Sequence, residues 1–284
     1  MRRLWLLVGL LAVVGCDEAG KGVSPDRRPP VTRKESQPAL TMDRQYIYYV
    51  NDDTVNPVNS GVYRARVNAP EREAVLYGRG WHSPTVSLTG GRLACLDSTG
   101  SIYYYSPADK SLSGSAITER FASITFVNDT LLVGERAGGL SLVNEVRRTV
   151  TLFTAGWDAT CPAVDKFVCV ARTESHLYHL VQYADFSPVP ETLLTLWTMA
   201  VPRWPSMEGH LRRLAFTLQS SDGIEVHTAA AGEIGSTFIC NTWHVKPYMI
   251  DFNLLIFAGP DGRFYRADFD GESIFPWWHA VLPG

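Results

Sequence analysis

Six times along the chain, a short, almost uniformly apolar run is followed by a polar turn and a second run that alternates in character with period two. The apolar runs are YIYYV (46–50), RLACL (92–96), TLLVG (130–134), KFVCVA (166–171), RLAFTL (213–218) and LLIFA (254–258). The alternating runs are GVYRAR at Gly61, GSIYYY at Gly100, GLSLVN at Gly139, SHLYHL at Ser175, GIEVHT at Gly223 and GRFYRA at Gly262. Alternation with period two marks a half-buried strand, and a uniformly apolar run of this length marks a strand covered on both faces. No helical period of apolar positions persists for ten residues, and aromatic and β-branched residues dominate the runs. Turn-formers separate the paired strands: Asp97-Ser98-Thr99-Gly100, Ser220-Ser221-Asp222-Gly223 and Pro260-Asp261-Gly262.

The alternating runs begin 39, 39, 36, 48 and 39 residues apart. A third strand precedes each pair, as in SPTVSL (83–88), ASITFV (122–127) and PYMIDF (247–252). A fourth follows, as in AVLY (74–77), TVTLFT (149–154) and STFI (236–239). Blade 1 has its own innermost strand near Pro38–Met42. Four short antiparallel strands repeated at a period near 40 predict an all-β fold, a six-bladed β-propeller of four-stranded antiparallel blades. The 48-residue interval raises the count of seven. The segment 182–210 carries Pro188, Pro190, Pro202 and Pro205 and reads instead as extra loop. Tryptophan–proline pairs mark the entry to the innermost strands: Trp81 to Pro84, Trp157 to Pro162, Trp197 to Pro202 and Trp243 to Pro247. The third repeat has Glu119-Arg120-Phe121 in that place.

Residues 203–233 resemble the repeat of TolB-like six-bladed propellers, in which a W-S-P-D-G-type turn leads into a strand and then an S-D-G turn. Here Arg203-Trp204-Pro205-Ser206 and Met207-Glu208-Gly209 depart from that turn. Residues 81–106 are a weaker copy. The first and last repeats, with YIYYVNDD and LLIFAGPDGRFYRADFDGES, are nearer to YWTD-type propeller repeats. The resemblance spans roughly residues 38–282 and implies a fold and little about activity.

The amino terminus changes the setting of this domain. Arg2 and Arg3 precede an apolar run from Leu4 to Val14 that ends in Gly15-Cys16. As a helix, that run rises only about 16 Å against a hydrocarbon core about 30 Å thick, so it matches a signal peptide rather than a membrane span. Val13-Val14-Gly15-Cys16 resembles the bacterial lipobox, and the resemblance implies cleavage before Cys16 with diacylglycerol on its sulfur. The expected organisation is a lipoprotein signal peptide over 1–15, a lipidated cysteine and disordered tether over 16–36, and a propeller domain over 37–284. A tether of that length spans about 25 Å. The chain is thereby expected in the bacterial cell envelope, held to a membrane through its lipid and facing the periplasm or exterior.

Composition closes off other classes. The net charge is −3, and basic residues cluster no further than the pairs Arg147-Arg148 and Arg212-Arg213. No nucleic-acid partner is expected, because phosphate binding needs clustered Lys and Arg. No zinc-protease, serine-hydrolase, phosphate-loop or dinucleotide motif is present. His176 and His179 fall on opposite faces of a strand, and no metal ligand set or cofactor is assigned. Six-bladed lactonase-like propellers hold a calcium ion with acidic side chains. Here Asp158, Asp165 and Asp251 lie near innermost strands, although calcium needs six to eight oxygens. Apart from Cys16 there are Cys95, Cys161, Cys169 and Cys240, and the spacing of Cys161 and Cys169 allows a bridge across the hairpin of the fourth blade. The pairs Trp81-His82 and Trp243-His244 recur in loops entering an innermost strand. With Trp157 they form the candidate binding rim, on the same side as the 51–60 loop, and aromatics suit a protein or peptide partner. The expected function is a non-catalytic protein-binding or scaffolding module. A lactonase-like calcium-dependent hydrolase and a periplasmic ligand-binding sensor are the alternatives.

Overall fold

The computed structural model describes residues 33–276, except 42, 44, 68–71, 209–210, 243–246, 252 and 260–262. The expected signal peptide, Cys16, most of the expected tether, Trp243 and His244 lie outside the described residues. Six four-stranded antiparallel sheets follow one another along the chain. Blade 1 is β1 (Arg33–Leu40), β2 (Tyr46–Asp53), β3 (Gly61–Arg66) and β4 (Arg72–Tyr77). Blade 2 is β5 (His82–Val86), β6 (Leu93–Leu96), β7 (Ile102–Ser106) and β8 (Ser111–Gly114). Blade 3 is β9 (Ser123–Phe126), β10 (Leu131–Arg136), β11 (Gly139–Asn144) and β12 (Thr149–Thr154). Blade 4 is β13 (Gly156–Ala163), β14 (Lys166–Glu174), β15 (Leu177–Ala184) and β16 (Glu191–Trp197). Blade 5 is β17 (Val201–Met207), β18 (Arg213–Gln219), β19 (Ile224–Ala230) and β20 (Thr237–Thr242). Blade 6 is β21 (Tyr248–Asp251), β22 (Leu254–Ala258), β23 (Phe264–Asp268) and β24 (Ile274–Pro276). Together they make an all-β, six-bladed propeller.

The hydrophobic pattern follows from blade stacking. A second strand such as β6 is buried along its whole length, because a blade packs on either face of it. An outermost strand such as β8 is exposed throughout, because it edges the ring. The apolar side chains gather in six clusters, one in each gap between neighbouring blades. A propeller therefore has no single core, and each gap repeats the same burial.

The longest interval in the repeat contains no extra blade. The extra residues lengthen strands: within it β15 has eight residues and β16, β17 and β18 seven each, where β7, β8, β9 and β10 of the interval 100–139 have five, four, four and six. Pro202 and Pro205, expected in loop, lie within β17. They are tolerated there because an innermost strand pairs on one side only.

Ring closure is also visible. Each blade is built from consecutive strands, so among the described residues no strand from one end of the chain completes the blade at the other. Blades 1 and 6 are joined instead by packing and by one buried carboxylate. Ile47, Tyr49 and Ala65 meet Ile256, Ala258 and Phe264, with Tyr49 edge-on to Phe264 at 5.4 Å. Glu35, buried in β1, pairs with Arg72 at 2.6 Å and accepts the Phe264 N–H at 3.2 Å. Strand β1 thus takes in Arg33–Ser36, four residues whose charge and polarity read as tether in the sequence.

The glycines that open three of the alternating runs, Gly61, Gly100 and Gly139, have a steric reason. Gly139 pairs with the end of β10 at φ +132°, and a Cβ there would lie 2.1 Å from the Thr154 carbonyl oxygen. Only glycine allows the backbone of β11 to start so close to the end of β12. Gly139→Ala is expected to destabilise the protein by about 3 kcal/mol, whereas Gly138→Ala, with open space around its Cβ, is expected to cost about 1 kcal/mol. Urea denaturation of both variants checks the order, and equal losses would refute the close-approach argument.

Candidate functional site

The innermost strands carry a recurring irregularity. In blades 1, 2, 4 and 5 the pairing register shifts, and Gln37, Ser83, Asp158 and Trp204 adopt positive φ of 53°, 50°, 54° and 50°. Each is a β-bulge that turns one side chain out of the ladder. The freed side chain reaches the next blade. Gln37 Oε1 accepts the Ser83 N–H at 2.5 Å, and Ser83 Oγ accepts the Ile124 N–H at 2.8 Å. Asp158 Oδ2 accepts the Trp204 N–H at 3.0 Å. Bulge thus follows bulge as a chain of staples between adjacent blades.

At blade 4 the staple becomes an ion pair. Asp158, fully buried, receives Arg203 Nε on Oδ2 and Arg203 Nη2 on Oδ1 at 3.1 Å. Its own N–H donates to Glu135 Oε2 at 3.0 Å, and Ser123 Oγ donates to the same oxygen at 3.1 Å. Burial pushes the Asp158 carboxyl up to about 6, against the pull of Arg203. Arg203 and Glu135 are not recognisable as partners of Asp158 from the sequence, since Arg203 lies 45 positions away and Glu135 23.

This geometry separates the acidic residues weighed for calcium. Asp158 sits at the bulge near the start of β13, whereas Asp165 lies in the turn beyond its end and accepts Asn128 Nδ2 at 2.7 Å. The side chain of Asp251 lies outside the described residues. Among the described residues no three His, Cys, Asp or Glu side chains are grouped to hold a metal.

The rim residues fall in two places. Trp81 and His82 line a cleft of about 560 Å³ between blades 1 and 2, with Ser36, Gln37, Asn51, Asp52 and Arg79 among its other walls. The 51–60 loop closes one side, as its position in the sequence suggested. Trp81 stands edge-on to Tyr103 at 5.3 Å and donates Nε1–H to the Tyr77 carbonyl at 3.1 Å, so its ring is fixed. Arg79 donates Nη2–H to the Asp53 carbonyl at 2.9 Å and holds Nε 3.6 Å from Asp52 Oδ1. Trp157 is elsewhere: it wedges between blades 4 and 5 against Tyr178 and donates Nε1–H to the Pro202 carbonyl at 3.3 Å. Trp197 stands four residues ahead of the innermost strand β17 but fills no gap. It ends the outermost strand β16 and is 75% exposed. Blade 3, which lacks the tryptophan, fills its gap with Phe121, whose ring lies over Gly134.

Cys161 and Cys169 are free thiols. Two bulges in β13 set the register so that residues 158 and 159 face Cys169, and Cys161 comes opposite Phe167. Cys161 Sγ donates to the Ala163 carbonyl, and burial pushes the Cys169 thiol up to about 12.

No family model matches the chain, and no curated protein matches it. Solved structures do. The TolB of Acinetobacter baumannii superposes with a TM-score of 0.57 at 15% identity, over 69% of this chain and 51% of that one. The fold is that of the TolB-like six-bladed propellers. A TolB from Agrobacterium tumefaciens gives 0.55 at 14% identity, covering 75% of this chain and 86% of that one. An oligogalacturonate lyase in complex with manganese also gives 0.55, at 12% identity over 89% of this chain and 78% of that one. This chain therefore spans about half the length of the Acinetobacter protein. At these identities the TolB-like likeness is one of architecture.

Proposed function

We propose that this chain is a lipid-anchored protein of the bacterial envelope whose propeller binds a protein or peptide partner without catalysing a reaction. The cleft between blades 1 and 2 carries the reading: a fixed tryptophan and a histidine stand over a polar floor contributed by two blades. Aromatic side chains held rigid beside polar groups are what recognition of a polypeptide uses. The TolB-like architecture supports a binding module, and the lipobox at 13–16 supports the anchor. The likeness to a lyase rests on fold alone.

Two measurements in cells of the source bacterium test the two halves. Labelled palmitate is expected to enter the wild-type chain and to be absent from Cys16→Ser, and a labelled Cys16→Ser chain would overturn the anchor. A photo-crosslinking amino acid at Arg79, in the cleft, is expected to trap a discrete partner. The same group at Val146, exposed in the turn between β11 and β12, is expected to trap none. Identical adducts at both positions, or none at either, would remove the cleft as the binding site.

A further inference from the structure

We infer that Ser236, on blade 5, is a nucleophile that accepts an acyl group from an activated ester. This goes beyond the partner-binding reading and does not rest on it. Glu225 and His227 are two residues apart on β19 and so share one face, and Ser236 ends the turn that leads into β20. His227 Nε2 lies 3.0 Å from Glu225 Oε2, and His227 Nδ1 lies 3.0 Å from Ser236 Oγ. A carboxylate only accepts, which assigns the proton of the neutral imidazole to Nε2. Nδ1 is then a lone pair, and the hydroxyl bonds to it by donating. The Ser236 proton thus points at a base that a carboxylate orients from behind, the arrangement that activates a hydroxyl for attack.

The base is fixed and the hydroxyl is open. His227 is 8% exposed, stacks on Phe216 at 5.9 Å and meets Phe238 edge-on at 5.8 Å, so its ring cannot turn away. Ser236 itself is exposed. Blade 4 provides an internal comparison, because His179 is the fifth residue of its alternating run as His227 is of its own. The His179 ring nitrogens meet the Thr173 and Thr195 hydroxyls at 2.9 and 3.1 Å, with no carboxylate bonded to the ring. A histidine at this place in a blade therefore does not need a carboxylate to be held. Only in blade 5 is the base oriented by one.

The surroundings select the donor. Ile234 and Phe238, two residues to either side of Ser236, are both exposed and form an apolar border for an acyl chain. Gly235, at φ +93°, has open space where a Cβ would stand, so an ester carbonyl can come up against the backbone beside the hydroxyl. The site is an open turn, so the ester must bring a good leaving group, as a nitrophenyl ester does. Ser236 Oγ bonds to the carbonyl carbon while its proton passes to His227 Nδ1. The bond from that carbon to the nitrophenol oxygen breaks, and the departing phenolate takes the proton from His227. No sequence motif announces these residues, because the base comes from a strand and the nucleophile from the turn after it.

Nitrophenol release from p-nitrophenyl butyrate by the full chain measures the rate. A fluorophosphonate, which bonds to Oγ as fluoride leaves and His227 takes the proton, marks the position by peptide mass. A single adduct is expected, on Ser236, and Ser236→Ala should lose both the adduct and the release. His227→Gln is expected to slow release about 100-fold. Glu225→Gln, at a half-exposed side chain, should slow it about 10-fold with the melting temperature unchanged. Proton NMR separates positioning by Glu225 from a structural role: the Nε2–H shared with the carboxylate should resonate well downfield of the amides and move upfield in Glu225→Gln. If His227→Gln does not fold, Glu225→Gln and that resonance decide. An adduct on another residue, release as fast from Ser236→Ala or Glu225→Gln as from the wild type, or no reaction at all would overturn the nucleophile. Each of these results leaves the palmitate and crosslinking outcomes as they stand.

Discussion

Phe121→Ala is expected to lower the free energy of unfolding by about 4 kcal/mol, the range for deleting a fully packed aromatic ring. Phe121 is 4% exposed and packs with Ile117, Ile124, Phe126 and Leu132 in the gap between blades 2 and 3. Its ring occupies the space left by Gly134, where a Cβ would come within 2.4 Å of it. Its N–H donates to the Gly100 carbonyl at 3.0 Å, which fixes the backbone on which the ring is carried. Truncation leaves a cavity between two blades that cannot collapse without shifting a whole sheet. For a domain of this size the loss corresponds to about 8–16 °C in melting temperature. Gly134→Ala is expected to destabilise by displacing the same ring, and the double variant should lose less than the two single losses combined, because the added methyl partly refills the cavity. Leu152→Ala, at a side chain 66% exposed on the outermost strand β12, should change stability by less than about 0.5 kcal/mol. A Phe121→Ala protein no less stable than Leu152→Ala would show that blade 3 does not depend on this wedge.

Arg203→Met should cost about 3–5 kcal/mol at pH 7, because it strands the fully buried Asp158 carboxylate without its cation. The loss has a pH dependence whose sign follows from the carboxyl's position. In the folded protein burial pushes Asp158 up to about 6, while in the unfolded chain it ionises near its ordinary value of 3.8. Below pH 4 both states hold the proton, and the stabilising contribution of the protonated side chain is complete. Between pH 4 and 6 the unfolded chain releases the proton first, so stability falls as pH rises, by about 3 kcal/mol in all. Relative to Asp158→Asn, which cannot titrate, the wild type should therefore be most favoured near pH 4 and least favoured above pH 6.5. The penalty of Arg203→Met should likewise shrink on the acid side, where Asp158 is protonated in both proteins. Urea denaturation at pH 4, 5, 6 and 7 measures both trends, and a gap independent of pH would mean that Asp158 does not titrate there.

What could be read from the sequence was whatever local sterics repeat. Gly61, Gly100 and Gly139 each sit at positive φ where the third strand of a blade begins, so the repeat leaves a residue of fixed type at a fixed place. Second strands are apolar throughout because each is covered on both faces, and that too is local. The interblade gaps are legible only in part. Trp81, Trp157 and Phe121 all fill gaps between blades, yet they stand at different offsets from their innermost strands and differ in type. The gap constrains volume rather than identity, which is why the tryptophan marker also falls on Trp197, a ring 75% exposed that fills no gap.

The candidate cleft was legible on one wall. Trp81 and His82 are adjacent in the chain and announce themselves, whereas Gln37, Asn51 and Asp52 reach the same cleft from another blade. The pair Asp158–Arg203 spans 45 residues and depends on two bulges that no turn residue marks. The first four residues of β1 were hidden for a different reason. RKES has the composition of a solvated linker, and Glu35 becomes an interior residue only because Arg72 is there to receive it.

The seam between blades 1 and 6 has a mechanical consequence. Among the described residues no strand crosses it, and the packing around Tyr49 and Phe264 and the bond from the Phe264 N–H to Glu35 bridge it. Any pull transmitted through the residues ahead of Arg33 enters the ring at β1, the strand on one lip of that seam. Tension there loads that seam directly, ahead of the ladders within the blades, and would open the propeller like a split washer.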